Sequence, residues 1–176
     1  MKSKNLILDI CLTAIFAALI AIATMVLQIP LAYGYLNCGD LFIFCACFVL
    51  RPRYAAAAAG IGSAIADLIA FPLYAPVTLV VKAIMAFTAG LIMYKRPKIQ
   101  YNLLAFVTAG IIMLAGYFVF EGFYYGWAGA IANIPLSSIQ PAVCTAAALG
   151  VVEILKRVPQ ITAYREKNLS VNEEEK

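Results

Sequence analysis

The chain contains no histidine, and only 12% of its 176 residues are charged. Without histidine there is no Ser–His–Asp triad, no zinc-protease helix and no imidazole proton relay. No G-x-x-x-x-G-K-[ST] run occurs, so ATP hydrolysis by that route would have to belong to another chain. A nucleophile–base pair is equally missing, which disfavours a membrane enzyme. The five cysteines, Cys11, Cys38, Cys45, Cys47 and Cys144, lie mostly in apolar runs without metal-ligand spacing. They read as small hydrophobes, so no metal, cofactor or catalytic set is expected.

Apolar residues are what the chain has in excess, at 64% of the total. Soluble domains hold roughly 45–50% apolar and about 25% charged residues. A soluble globule of this length would have to hide too much apolar surface, and a bilayer removes that problem. The net charge of +4 comes from small basic clusters between apolar runs. They read as topology determinants rather than as a nucleic-acid surface.

Six apolar stretches can be marked out. The first runs from Leu6 to Leu27, too long for the core of a cleavable signal peptide, so it reads as a span. The second starts near Asp40 and ends before Arg51-Pro52-Arg53. The third is the alanine-rich run from Tyr54 to Ala70, closed by the proline-bounded turn from Phe71 to Pro76. The fourth covers Val77 to Tyr94 and the fifth Tyr101 to Phe120. An aromatic loop is expected from Glu121 to Pro135, and the sixth span covers Ser138 to Leu155. The fold class expected is all-α: six transmembrane helices filling residues 1–160, with a polar, disordered cytoplasmic tail over 161–176.

Counting positive charges orients the bundle. With the N-terminus inside, the cytoplasmic segments hold 12 of the 13 basic residues and the outer loops none; the exception, Lys82, lies within a span. Such strict alternation puts both ends in the cytoplasm.

Ionisable groups inside spans are costly, at roughly 2.5–3.5 kcal/mol near mid-membrane on insertion scales, so they tend to be paired or functional. Asp9 and Glu153 lie within a turn of a cytoplasmic helix end, where water is near. Asp67 and Lys82 lie deeper, ~5 and ~9 Å below the outer surface at 1.5 Å per residue. Their helices are joined by a short turn and are therefore antiparallel neighbours. Two readings are open and compatible: an ion pair locking the two helices, or an outward-facing polar pocket. Asn37, Asp40, Thr78, Glu121 and Asn133 gather on the same side. So do Tyr33, Tyr35, Phe71, Tyr74, Phe123, Tyr124, Tyr125 and the sole tryptophan, Trp127. An interfacial aromatic belt would mark both faces, and the cytoplasmic boundary has only Tyr54, Tyr94 and Tyr101. The imbalance favours a site for a flat, neutral or weakly cationic ligand, with polyphosphates rejected by the net negative outer region. Small residues form a third feature. Ala14, Ala17, Ala18 and Ala21 make one stripe on the first span, suited to close helix packing or to docking on another membrane subunit.

The runs Asn37-Cys38-Gly39-Asp40-Leu41-Phe42-Ile43, Arg51-Pro52-Arg53, Gly60-Ile61-Gly62-Ser63-Ala64-Ile65-Ala66-Asp67-Leu68 and Tyr74-Ala75-Pro76-Val77-Thr78-Leu79-Val80-Val81-Lys82-Ala83 resemble the substrate-binding S components of energy-coupling factor (ECF) transporters. The similarity covers roughly spans one to four and is looser afterwards. One departure is Arg51 before Pro52, where glycine is expected in many relatives. The resemblance implies a vitamin-binding subunit of a prokaryotic cell membrane, working with a transmembrane T component and two cytosolic ATPases. In this family an A-x-x-x-A motif on helix one meets the T component, and Ala14 and Ala18 match it. Family members are thought to topple in the membrane while carrying ligand inward. The segments look closest to the branch associated with pyridoxine or hydroxymethylpyrimidine, with riboflavin as another possibility. Substrate contacts are expected from Asn37, Asp40, Asp67, Tyr74, Thr78, Lys82, Trp127 and Asn133. The rival reading is a six-span non-transport scaffold such as a cell-shape protein, which would need no buried Asp67/Lys82 pocket.

Overall fold

A 25-residue apolar helix, α1 (Lys2–Val26), leads the chain and leaves most of its surface uncovered by the rest of the protein. The computed structural model describes residues 2–26, 28–30, 35–94, 96 and 98–174. Tyr33 and Lys95, read above as an outer aromatic and a cytoplasmic charge, lie outside the described residues. After α1 the chain makes two short strands that the sequence pattern did not announce, β1 (Gln28–Pro30) and β2 (Tyr35–Asn37). They pair antiparallel, with Ile29 opposite Leu36, and form a hairpin across one end of the bundle.

Helix α2 (Gly39–Val49) has 11 residues, about 16 Å at helical rise, so it is short for a hydrocarbon core of about 30 Å. Nine of those residues are buried, which makes α2 a central strut with apolar residues on every side. Phe44 stacks on Phe106 at 4.3 Å between ring centroids, and Ile43, Ala46 and Cys47 complete the core around them. Arg51 then sits before α3 (Pro52–Ala70) at φ −62° and ψ 149°. This is an extended conformation open to any residue before a proline, so glycine is not required there.

Helix α3 packs most closely on α4 (Ala75–Tyr94) and on α1. Close approach is what its small residues permit: a Cβ added at Gly62 would come within 2.5 Å of the Ala17 carbonyl oxygen of α1. Helix α5 (Ile99–Tyr125) and helix α6 (Trp127–Leu155) are longer than expected. The segment from Glu121 to Pro135, read as a loop, is helical apart from a single break at Gly126, whose φ of +93° suits glycine. Pro135 and Pro141 lie inside α6. The Ser138 hydroxyl donates to the Pro135 carbonyl at 2.7 Å.

The polar tail is also corrected. Instead of disorder, residues Pro159–Glu174 form α7, folded against the end of the bundle away from the hairpin. Tyr164 donates to the carboxylate of Asp9 in α1, and Arg51 lies 3.8 Å from the other oxygen of that carboxylate. Arg165 donates to the Met93 and Tyr94 carbonyls at the end of α4, the latter at 2.9 Å, and lies over the Phe48 ring at 4.5 Å. Asp9, expected near water, is therefore buried. Burial pushes the Arg165 guanidinium below its ordinary range.

Among the described residues, four helices (α1, α4, α5 and α6) are long and apolar enough to cross a membrane. Together with the buried α2 and the alanine-rich α3 they make a helical membrane bundle.

Candidate substrate-binding site

Under the hairpin lies a half-open cavity of about 60 Å³ between β2 and helices α3 to α6, lined largely by residues with polar groups. Three side-chain groups build it.

The deepest is an ion pair. Lys82 of α4 reaches Asp40 at the start of α2, and both are almost fully buried. Gln140 of α6 donates to the second Asp40 oxygen at 2.6 Å and accepts the Asn37 backbone N–H at 3.0 Å. Asn37 in turn holds the Gly39 N–H at 2.9 Å through its side-chain oxygen, fixing the start of α2. The Met113 sulfur lies 3.3 Å from the ammonium. The Lys82 ammonium and both Asp40 oxygens thus have protein partners, as buried charges require.

The second group centres on Asp67. Its carboxylate accepts from Tyr35 of the hairpin, and Thr78 lies beside it. Burial, then the bond to Asp67, pushes the Tyr35 hydroxyl well above the usual tyrosine range, so it remains a donor. The Thr78 and Tyr117 hydroxyls share a 3.0 Å bond. Tyr35 and Phe71 lie 6.0 Å apart between centroids, which ties the hairpin to the α3–α4 turn.

The third group surrounds Glu121 of α5. Tyr74 donates to it at 3.3 Å, and the Asn133 amide donates to its two oxygens at 3.1 and 2.9 Å. Asn133 thus stands behind Glu121 rather than on the cavity wall.

The structure therefore sorts the expected contacts. Asn37, Asp67, Tyr74, Thr78 and Lys82 line the cavity, and Asp40 lies directly beneath it as the partner of Lys82. An Asp67–Lys82 pair does not form; Lys82 goes to Asp40 instead, because α2 begins at the same depth. Trp127 lies outside the cavity. It is half exposed and packs on Phe118 and Phe123, covering the face of α5 at Gly122. Gln140, Tyr117 and Met113 were missed. Gln140 is a polar amide inside an apolar helix, and that cost of burial was the available signal.

On the opposite flank the alanine stripe is divided. Ala17 packs on α3 at Gly62 and Ala21 is buried, whereas Ala14 and Ala18 are exposed; all four border a shallow groove between α1 and α3. The groove measures about 740 Å³ and is almost wholly apolar, with Ile61 and Ile65 on its far side.

The geometry is that of a small polar chamber in an apolar bundle, and comparison with known proteins names the setting. A family model described as ECF-type riboflavin transporter, S component, matches residues 4–157. The chain belongs to that family. It is an S component, a multi-pass membrane protein of a transporter and not an enzyme. Among curated relatives, a thiamine precursor transporter, HmpT, of Lactococcus lactis subsp. cremoris (strain MG1363) is 29% identical over 169 residues, covering 94% of this chain and 97% of that one. An uncharacterized protein of Pyrococcus woesei is 36% identical over 120 residues, 65% of this chain and 78% of its own. Among solved structures, the S component for biotin from an ECF-type ABC transporter superposes with a TM-score of 0.67 at 15% identity. That match covers 93% of this chain and 98% of the other, and it carries the fold alone.

Proposed function

We propose that this S component captures a small heterocyclic vitamin or vitamin precursor, of the pyridoxine, hydroxymethylpyrimidine or riboflavin kind, from outside a prokaryotic cell. Delivery inward would use a transmembrane T component and two cytosolic ATPases. The observation that carries the reading is the polar chamber itself. Three tyrosines, Tyr35, Tyr74 and Tyr117, and two carboxylates, Asp67 and Glu121, meet at one end of a mainly apolar bundle. Groups so costly to bury are retained for a ligand. The residues proposed to contact or shape the ligand site are Asn37, Asp40, Asp67, Tyr74, Thr78 and Lys82, with Asn133 acting through Glu121; Trp127 is no longer among them.

In this reading the chain crosses the membrane six times. Both termini lie in the cytoplasm, so the hairpin faces outward and α7 inward. The short α2 reaches the outer surface through the hairpin that precedes it. Tyr35 closes the chamber from above by bonding Asp67, and a ligand takes the acceptor positions of that carboxylate which Tyr35 leaves open. Ala14 and Ala18, open in the apolar groove, dock on the T component, with Ala17 and Ala21 seating α1 behind them.

Copurification tests this. A tagged chain expressed with a T component and ATPases is expected to bring them down together. Replacing Ala14 and Ala18 by leucine is expected to abolish it while leaving the monodisperse S component intact. Unchanged assembly of the double variant would sink the docking assignment.

A further inference from the structure

The charges in the chamber are unequal in a way that bears on which vitamin enters. Among the described residues Lys82 is the one cation on the chamber wall, and it is already committed to Asp40. Asp67 and Glu121 face the same space, and among the described residues neither forms an ion pair. The two carboxylates differ in spare capacity. Glu121 already accepts from Tyr74 and twice from Asn133. Asp67 accepts from Tyr35, which comes from the hairpin rather than from the bundle wall, and has Thr78 at its side. A carboxylate offers about four acceptor positions, so Asp67 is the group with room for two further donors from a ligand.

Size points the same way. The chamber is narrow and flanked by the rings of Tyr35, Tyr74 and Tyr117, which offer an aromatic face for one flat ring.

Resting on the transporter reading above, we infer that the ligand is a single-ring nitrogen heterocycle carrying an amino group, whose adjacent amino and protonated ring nitrogen form two parallel hydrogen bonds to Asp67. Such an edge is an amidine, and a carboxylate receives it as it receives a guanidinium. Glu121 adds negative potential and disfavours ligands bearing a carboxylate or phosphate. The Thr78–Tyr117 hydroxyl pair, able to donate or accept, is available to a hydroxymethyl substituent. A flavin edge presents mainly acceptors and would set oxygen against oxygen at Asp67.

Calorimetric titration of the purified full-length chain separates these classes. The probes are an aminopyrimidine carbinol, the matching pyrimidinone carbinol in which an oxo group replaces the amino group, riboflavin and biotin. The aminopyrimidine is expected to bind at least about tenfold tighter than the pyrimidinone, since a hydrogen bond to a charged group contributes roughly 1.5–3 kcal/mol. Asp67→Asn is expected to erase that preference. The comparison on the unaltered chain stands even where the variant folds poorly. Equal affinity for the matched pair, or tighter binding of riboflavin or biotin, overturns the inference and leaves the transporter reading in place. Binding of no probe also overturns it. Loss of copurification with the T component and ATPases, by contrast, counts against the transporter reading itself.

Discussion

Lys82 of α4 is paired with Asp40 of α2, across the centre of the bundle and 42 residues back along the chain. The pair joins the first helix after the hairpin to the wall of the chamber, so a defect in either residue is felt at the site. Replacing Lys82 by methionine strands a buried carboxylate and is expected to cost about 3–5 kcal/mol. The double variant Lys82→Met, Asp40→Asn removes both charges and is expected to recover most of that loss. Thermal melting of the four proteins in one detergent closes the cycle.

The α7 latch makes a separate prediction. Arg165 satisfies two carbonyls at the end of α4 and Tyr164 satisfies the buried Asp9 of α1, so polar groups of two elements depend on this helix. Arg165→Met is expected to destabilise the protein by about 1–3 kcal/mol, because the Met93 and Tyr94 carbonyls lose their charged donor. Hydrogen exchange is expected to speed up in α7 and the last turn of α4, with the hairpin end unchanged.

At Gly62 the crossing of α1 and α3 leaves no space. Gly62→Val is expected to push α1 away from α3 and lower stability by about 1–3 kcal/mol, since the clash is with backbone at Ala17. Gly150→Ala serves as the control, because nothing lies within 4 Å of a Cβ placed there. Melting temperatures of the two variants report the difference.

Tyr35 ties the hairpin to the bundle through one hydroxyl. Tyr35→Phe keeps the ring beside Phe71 and removes the bond to Asp67. Ligand dissociation is expected to quicken several-fold while the melting temperature of the ligand-free protein moves little, as stopped-flow fluorescence and calorimetry would show.

Much of this was legible in the residues. The apolar runs marked α1 and α4 well, and Asp67 and Lys82 were singled out by the cost of placing a charge in a bilayer. The partner of Lys82 was not. Depth along one helix says nothing about which neighbour shares it, and Asp40 stood at a span's edge where water would have been enough. The Glu121–Pro135 stretch looked like a loop because it carries Gly122, Gly126 and Pro135. In the fold, Gly122 admits the Trp127 ring, Gly126 makes the turn, and Pro135 is absorbed within α6. The hairpin was hidden by its brevity, since strands of three residues leave no period to read. Helix α7 was hidden by composition. Its anchorage rests on Tyr164 and Arg165, two residues in an otherwise polar tail.

Mass spectrometry of the small molecule retained by the gently purified chain tests the transporter reading most directly. One single-ring heterocyclic vitamin or precursor per chain is expected, and it should be lost from Asp67→Asn. A chain that retains only lipid, whichever vitamins are supplied to the cells, would contradict it.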